Sequence, residues 1–252
     1  MSGRIARIGA ASFLALLLGG SLACAEGIFE RGISEFEAGK YTEAADDFRQ
    51  AAKNAPASGV LYDLGNAEWA AGQTGPAVLA WERARWLDPF NRKAAGNLRY
   101  ARRSAQLDAP EYSWYEICSS WLPGDWWAWL ASLTFWAAVA LVLLPGTFGW
   151  RRAGWKQGLA AASFALFLLT IPALIGVHTR ARTGIILSKD TPLRLTPTAD
   201  AQLVTRLPSG DFARLERTHG KYLFLRTAAG TGWVEQAQFA RISRQEGIKE
   251  DL

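Results

Sequence analysis

The sequence predicts a multidomain membrane protein in three parts: an all-α solenoid of helical hairpins, a two-helix transmembrane hairpin and a small all-β barrel. Three observations predict it. Two stretches, Trp126–Leu144 and Gly158–Val177, contain no Asp, Glu, Lys or Arg, and each approaches the ~20 apolar residues that a helix needs to cross a ~30 Å hydrocarbon core. Ahead of them the chain repeats itself at a 33-residue period, the mark of stacked helical units. Behind them the apolar pattern changes from helical to strand-like.

Residues 1–25 read as an export signal: Arg4 and Arg7, an apolar run from Ile8 to Leu18, then Ala23-Cys24-Ala25 ahead of Glu26. Three fates fit these residues. Cleavage after Ala25 is one; lipidation of Cys24 is another, although Leu22 and Ser21 depart from the usual order; an uncleaved anchor is the third. Export of the start places the turn between the spans inside, where Arg151, Arg152 and Lys156 satisfy the positive-inside bias. Asp108, Glu111, Glu116 and Asp125 precede the first span and suit the outer side. The expectation is a two-pass protein of the bacterial cytoplasmic (inner) membrane with both soluble domains periplasmic. The net charge of +5 comes from that turn and scattered arginines, with no basic stripe, so nucleic acid is not the partner.

The first soluble flank, 26–106, holds two repeat units, about 26–57 and 58–91, and a capping helix. Shifted by 33 residues, Gly32 falls on Gly65, Gly39 on Gly72, Ala44 on Ala77, Phe48 on Trp81, Ala51 on Ala84 and Pro56 on Pro89. Small residues sit where two helices must touch, aromatics fill the space beside them, a glycine makes the inter-helix turn and a proline ends the second helix. The segment from Asn91 to Gln106 carries Ala94, Leu98, Ala101 and Ala105 on one stripe, as a terminal cap requires. These residues resemble the tetratricopeptide repeat. Tyr41 and the Leu64-Gly65-Asn66-Ala67 run fit it, while Thr74, Glu35 and Glu68 depart from its aromatic preferences. Most matching residues are packing residues. If the repeats grip a peptide, the candidate side chains are Asp63 and Asn66 on the first helix of the second unit.

Residues 107–125 form a tryptophan-rich linker. Trp114, Cys118, Trp121 and Leu122 recur at helical spacing, and Trp126, Trp127 and Trp129 open the first span (126–144). An interfacial aromatic belt with a short in-plane helix accounts for them; a tryptophan cage for a ligand is the alternative. A basic turn (145–157), the second span (158–177) and the all-β part (183–243) follow, with a tail at 244–252. Short β-rich runs at Gly184–Leu187, Pro192–Leu195, Leu203–Leu207, Phe212–Thr218 and Tyr222–Thr227 are punctuated by Pro197, Pro208-Ser209-Gly210, His219-Gly220 and Gly230. Five or six strands in so short a stretch imply a small barrel. Its order resembles a bacterial SH3-like domain: Gly184-Ile185-Ile186, Arg194-Leu195-Thr196-Pro197, the Leu207-Pro208-Ser209-Gly210 turn, Tyr222, then Gly232-Trp233-Val234. Tyr222 and Trp233 are candidates to line a peptide groove, with core and rim packing as the alternative.

No catalytic residues, cofactor or metal ligands are expected. The two histidines, His178 and His219, share no metal spacing, and no Gly-x-Ser-x-Gly motif occurs. Cleavage after Ala25 leaves Cys118 without a disulfide partner. Export signal, paired repeats, hairpin and SH3-like ending together resemble the BatE family of the bacterial aerotolerance operon. That resemblance implies a non-enzymatic membrane scaffold or adaptor. Its implied partners are von Willebrand-type membrane proteins and a MoxR-type ATPase system, in tolerance of oxygen or stress or in handling exported proteins. Binding of cell-wall peptidoglycan through the SH3-like domain is the alternative.

Overall fold

The computed structural model describes residues 27–108, 110–147 and 154–243. The expected export signal with Cys24, the turn residues Arg151 and Arg152, and the tail 244–252 lie outside the described residues. Five helices come first: α1 (27–37), α2 (Tyr41–Asn54), α3 (Ser58–Ala70), α4 (Thr74–Leu87) and α5 (Arg92–Ser104). From α2 onward, each packs on the next.

The 33-residue sequence period is a structural period. Gly39 and Gly72 end α1 and α3 in the left-handed region at φ +76° and +79°, where a side chain is strained. The same reversed hydrogen bond closes both helices, from Lys40 N to Glu35 O at 2.9 Å and from Gln73 N to Glu68 O at 2.8 Å. Within each unit a glycine receives an aromatic from the following helix. A Cβ on Gly32 would meet the Phe48 ring at 2.9 Å, and one on Gly65 would collide with the Trp81 indole. Phe48 and Trp81 are consequently among the largest fully buried side chains, with Ala44 and Ala77 wholly covered beside them. Asn91 caps α5 through its side chain, which accepts from Ala94 N at 3.0 Å.

A short helix α6 (Trp114–Ser119) leads to two long apolar helices, α7 (Gly124–Thr147) and α8 (Gly154–Arg180), which pack against each other. Both are long and apolar enough to cross a membrane, and only 17% and 22% of their most apolar windows is buried. The core helix of a soluble protein would be mostly covered; these are not. Both helices run beyond the expected spans: α7 continues to Thr147 and α8 begins at Gly154.

The C-terminal part is an antiparallel sheet of β1 (Thr183–Ile186), β2 (Thr191–Arg194), β3 (Leu203–Leu207), β4 (Phe212–His219), β5 (Tyr222–Thr227), β6 (Gly230–Glu235) and β7 (Phe239–Arg241). Its order is β3-β2-β6-β5-β4-β1-β7. The expected barrel is not closed: among the described residues β3 pairs only with β2 and β7 only with β1. The last strand, three residues long, is too short to show an alternation in sequence. Register shifts at Leu193/Arg194 and Leu215/Arg217 add twist. The sheet buries its own core of Ile186, Leu193, Leu207, Ala213, Leu215, Leu223, Leu225, Val234 and Phe239.

Helices and sheet meet directly. On β1, Ile186 enters the sheet core while Ile185 joins the helical core, as does Ile242 after β7. The start of α4 lies so close to the strand backbone that a Cβ on Gly75 would stand 2.5 Å from Leu187 O and 2.6 Å from Ile186 O. Ser209 bridges this contact, accepting from Gly75 N at 2.9 Å and donating to Leu187 O at 2.7 Å. Arg83 of α4 donates to Arg241 O from Nη2 at 2.9 Å and Nε at 3.2 Å.

Candidate functional site

Among the described residues the most deeply buried charged side chain, Glu116, sits on α6 beside the end of α8, where α6 is built inside out. Its carboxylate Glu116 and hydroxyl Ser119 are both 0% exposed, whereas Trp114, Ile117 and the following Trp121 are largely exposed. The close approach of α6 to α8 requires Gly176, since a Cβ there would strike Tyr115 O and Ser119. Glu116 receives Ser113 N at 2.9 Å on Oε2, the half of a capping box that starts α6. It also receives Arg214 Nη2 of β4, 3.0 Å from Oε2 and 2.8 Å from Oε1. Burial pushes the Glu116 carboxyl up, but bonds from Arg214, Ser113 and Thr179 outweigh it and hold the group below the usual carboxylate range.

Arg180, at the end of α8, is held by three separate elements. Its guanidinium lies over the Trp86 ring at 5.0 Å and the Tyr112 ring at 5.7 Å, and Nη1 donates to Ser119 Oγ at 3.2 Å. Burial raises Tyr112 well above an ordinary phenol, the Glu82 carboxylate adds to this, and Arg180 opposes it. Trp127 Nε1 donates to Ser119 O at 3.3 Å, so the membrane end of α7 joins the same cluster. The arrangement ties the helical units, the sheet and the apolar pair together.

The sequence-predicted candidates fall in two places. On α3, Asn66 uses its Oδ1 inside the fold, accepting from Trp81 Nε1 at 3.2 Å and Asn97 Nδ2 at 2.8 Å. One turn earlier, Asp63 is half-buried; that burial raises its carboxyl and the nearby Lys93 lowers it. The Lys93 ammonium also lies 6.0 Å from the Tyr62 ring centre. On the sheet, Tyr222 is 6% exposed, with Lys221 Nζ 5.5 Å from its ring centre. Trp233 is half-buried and packs on Phe224 at 5.2 Å between ring centres, with His219 at 6.2 Å. The half-buried companion of Trp233 is thus Phe224 rather than the buried Tyr222. Sequence reasoning misses Phe224 because cross-strand register, not spacing along the chain, brings the two rings together.

A cleft of about 430 Å³ lies beside α2, α3 and α4. Leu61, Leu64 and Trp86 line it, with Arg49, Lys53 and Arg83 among the cations around it. Arg49 is paired with Glu68 and Asp46. A polar cleft of about 590 Å³ lies between the linker and the sheet, lined by Asp108, Glu111, Arg214, Glu216 and Arg226.

The architecture defines a class of protein: a helical-repeat unit and an antiparallel sheet joined on two helices of membrane-crossing length. No protein-family model matches the chain, and no curated protein shows a significant match to it.

Proposed function

We propose that this chain is a non-enzymatic adaptor of the bacterial cytoplasmic membrane, of the BatE type. In this reading α1 to α5 form two tetratricopeptide-like repeats with a cap, the sheet is an open SH3-like domain, and both face the extracytoplasmic side. Its partners are envelope proteins, by resemblance von Willebrand-type membrane proteins linked to a MoxR-type ATPase, in tolerance of oxygen or stress.

The observation that carries the reading is the recurrence of one contact set at a 33-residue interval: Gly32 under Phe48 and Gly65 under Trp81, with Gly39 and Gly72 left-handed at the turns. Such hairpins bury one face on their neighbours and leave another for a partner. That both units lie on one side is supported by the apolar pair, since Gly124 at the start of α7 lies against Val177 near the end of α8, a Cβ on Gly124 falling 3.2 Å from the Val177 side chain. The chain therefore enters and leaves the pair at one end. Fixing two interaction units on one body raises the effective concentration of the second contact for any partner that touches both.

The test is affinity purification of the detergent-solubilised full chain, tagged after Leu252, from its native host after in-cell crosslinking, against an untagged control. Reproducible enrichment of membrane proteins, with a von Willebrand-type pair foremost, is the expected result. A clean preparation with no enriched protein overturns the adaptor reading.

A further inference from the structure

Strand register lines up five side chains in one row across the outer face of the sheet. Leu203 of β3 lies opposite Arg194 of β2, Arg194 opposite Trp233 of β6, Trp233 opposite Phe224 of β5, and Phe224 opposite Arg217 of β4. Residues directly opposite each other in antiparallel strands share a face. Their chain neighbours Leu193, Val234, Leu223 and Leu225 point the other way, into the sheet core. Leu203 and Arg217 are exposed, and Arg194, Trp233 and Phe224 are half-buried.

The middle of the row is a packed aromatic pair and its flanks are cationic. The Arg217 guanidinium stands 6.0 Å from the Phe224 ring centre. Arg194 donates from Nη1 to Ala201 O at 3.0 Å, which props it in the row. Among the described residues, no carboxylate forms an ion pair with either arginine. Adjacent strands are ~4.8 Å apart, so three steps separate the two arginines by ~14 Å.

We propose that this row is a docking surface for an acidic, extended segment of a protein partner, lying across the strands with a carboxylate at each arginine and an apolar side chain on Trp233 and Phe224. An extended chain advances ~3.3 Å per residue with alternating faces, so ~14 Å matches positions i and i+4, and i+2 falls on the aromatic pair. Guanidinium and carboxylate make charge-assisted, bidentate bonds, and a half-buried tryptophan flanked by arginine has the composition of an interface hot spot. A glycan fits less well, because the row offers no amide or carboxylate to its hydroxyls. This goes beyond the adaptor reading, which names no binding face. Loss of co-purifying partners would sink that reading and leave the row intact.

The test uses the full chain in nanodiscs and two fluorescent peptides read by polarisation. One is Ser-Thr-Glu-Thr-Tyr-Thr-Glu-Thr-Ser, with acids at i and i+4 around a tyrosine. The other, Ser-Thr-Glu-Thr-Tyr-Glu-Thr-Thr-Ser, moves the second acid to the opposite face. The first should bind about tenfold tighter than the second. Arg217→Glu should weaken it by about as much, and replacing the second glutamate of the peptide with lysine should restore binding to that variant. Arg217 is exposed, so this substitution leaves the fold in place. Equal affinity for the two peptides, no binding at millimolar concentration, or indifference to Arg217→Glu overturns the proposal. So does sedimentation with purified peptidoglycan that depends on Trp233 while neither peptide binds.

Discussion

Asp211, behind the Pro208-Ser209-Gly210 turn, is buried with its Oδ1 unpartnered among the described residues. Burial pushes its carboxyl up to about 6; a bond from the Asp108 backbone opposes this and the Asp108 carboxylate adds to it. An unfolded aspartate titrates near ~3.9, so the folded group holds its proton more tightly than the unfolded one. The fold is therefore unpenalised below pH ~4 and carries the full cost of the buried charge above pH ~6, on the order of 3 kcal/mol. Asp211→Asn removes the charge and keeps the shape. It should raise the thermal midpoint of the detergent-solubilised chain at pH 7.5, with an advantage that shrinks through pH 6 and is gone at pH 4. An advantage independent of pH would show that Asp211 does not carry this cost. Residue identity alone gave little warning of it, because Asp211 stands in a turn, where aspartate is ordinarily solvated. Asn66 shows the same limit: its place in a Leu-Gly-Asn-Ala run marks the helix, while its bonds to Trp81 and Asn97 come from α4 and α5.

At the scale of elements, the start of α4 is fixed by a distant part of the chain. Helix propensity alone says that Gly75→Ala stabilises, by about 1 kcal/mol. The contact with β1 says the opposite, because the new methyl would meet two carbonyl oxygens at 2.5 and 2.6 Å and displace the Ser209 bridge. Overpacking of this kind costs typically 1–3 kcal/mol, and backbone cannot rotate aside as a side chain does. Gly75→Ala is thus expected to lower the urea midpoint of the full chain and to speed hydrogen exchange in β1. A rise in the midpoint would mean that helices and sheet are not seated on each other in solution. The sequence shows a glycine one place before Pro76 and nothing more, since docking between distant segments leaves no local period. Elements held by their own periodicity are legible: the repeated hairpins, the two apolar helices, and the strand runs Leu203–Leu207 and Tyr222–Thr227, which appear with the same bounds. Helix α6 is half legible. Its tryptophans mark a helix at an apolar boundary, but the burial of Glu116 depends on Arg214, 98 residues later.

At the scale of the whole molecule, exposed tryptophans gather where α6 leads into α7. Trp114 at the start of α6 and Trp121 just after it, with Trp126 and Trp129 at the start of α7, are all well exposed, Trp129 at 75%. Water would charge heavily for that girdle, whereas the bilayer interface favours indole rings. Beside them Glu116 is fully buried, paired with the partly exposed Arg214, and Arg180 lies over Trp86 and bonds to Ser119. Such a seating requires the helical unit and the sheet to leave the membrane on the same side, and labelling can decide it. In a Cys24→Ser, Cys118→Ser background, Ala57→Cys on the helical unit, Ala229→Cys at the β5–β6 turn and Ala153→Cys between the apolar helices provide three reporters, the first two exposed. A membrane-impermeant maleimide applied to spheroplasts should label Ala57→Cys and Ala229→Cys and reach Ala153→Cys only after lysis. Labelling of Ala153→Cys alone would keep the hairpin and reverse its orientation, placing both soluble parts in the cytoplasm and removing any extracellular ligand from consideration. Labelling of only one of the two soluble reporters would break the hairpin itself, because segments tied together by Arg83 with Arg241 and by Glu116 with Arg214 cannot lie across a bilayer from each other.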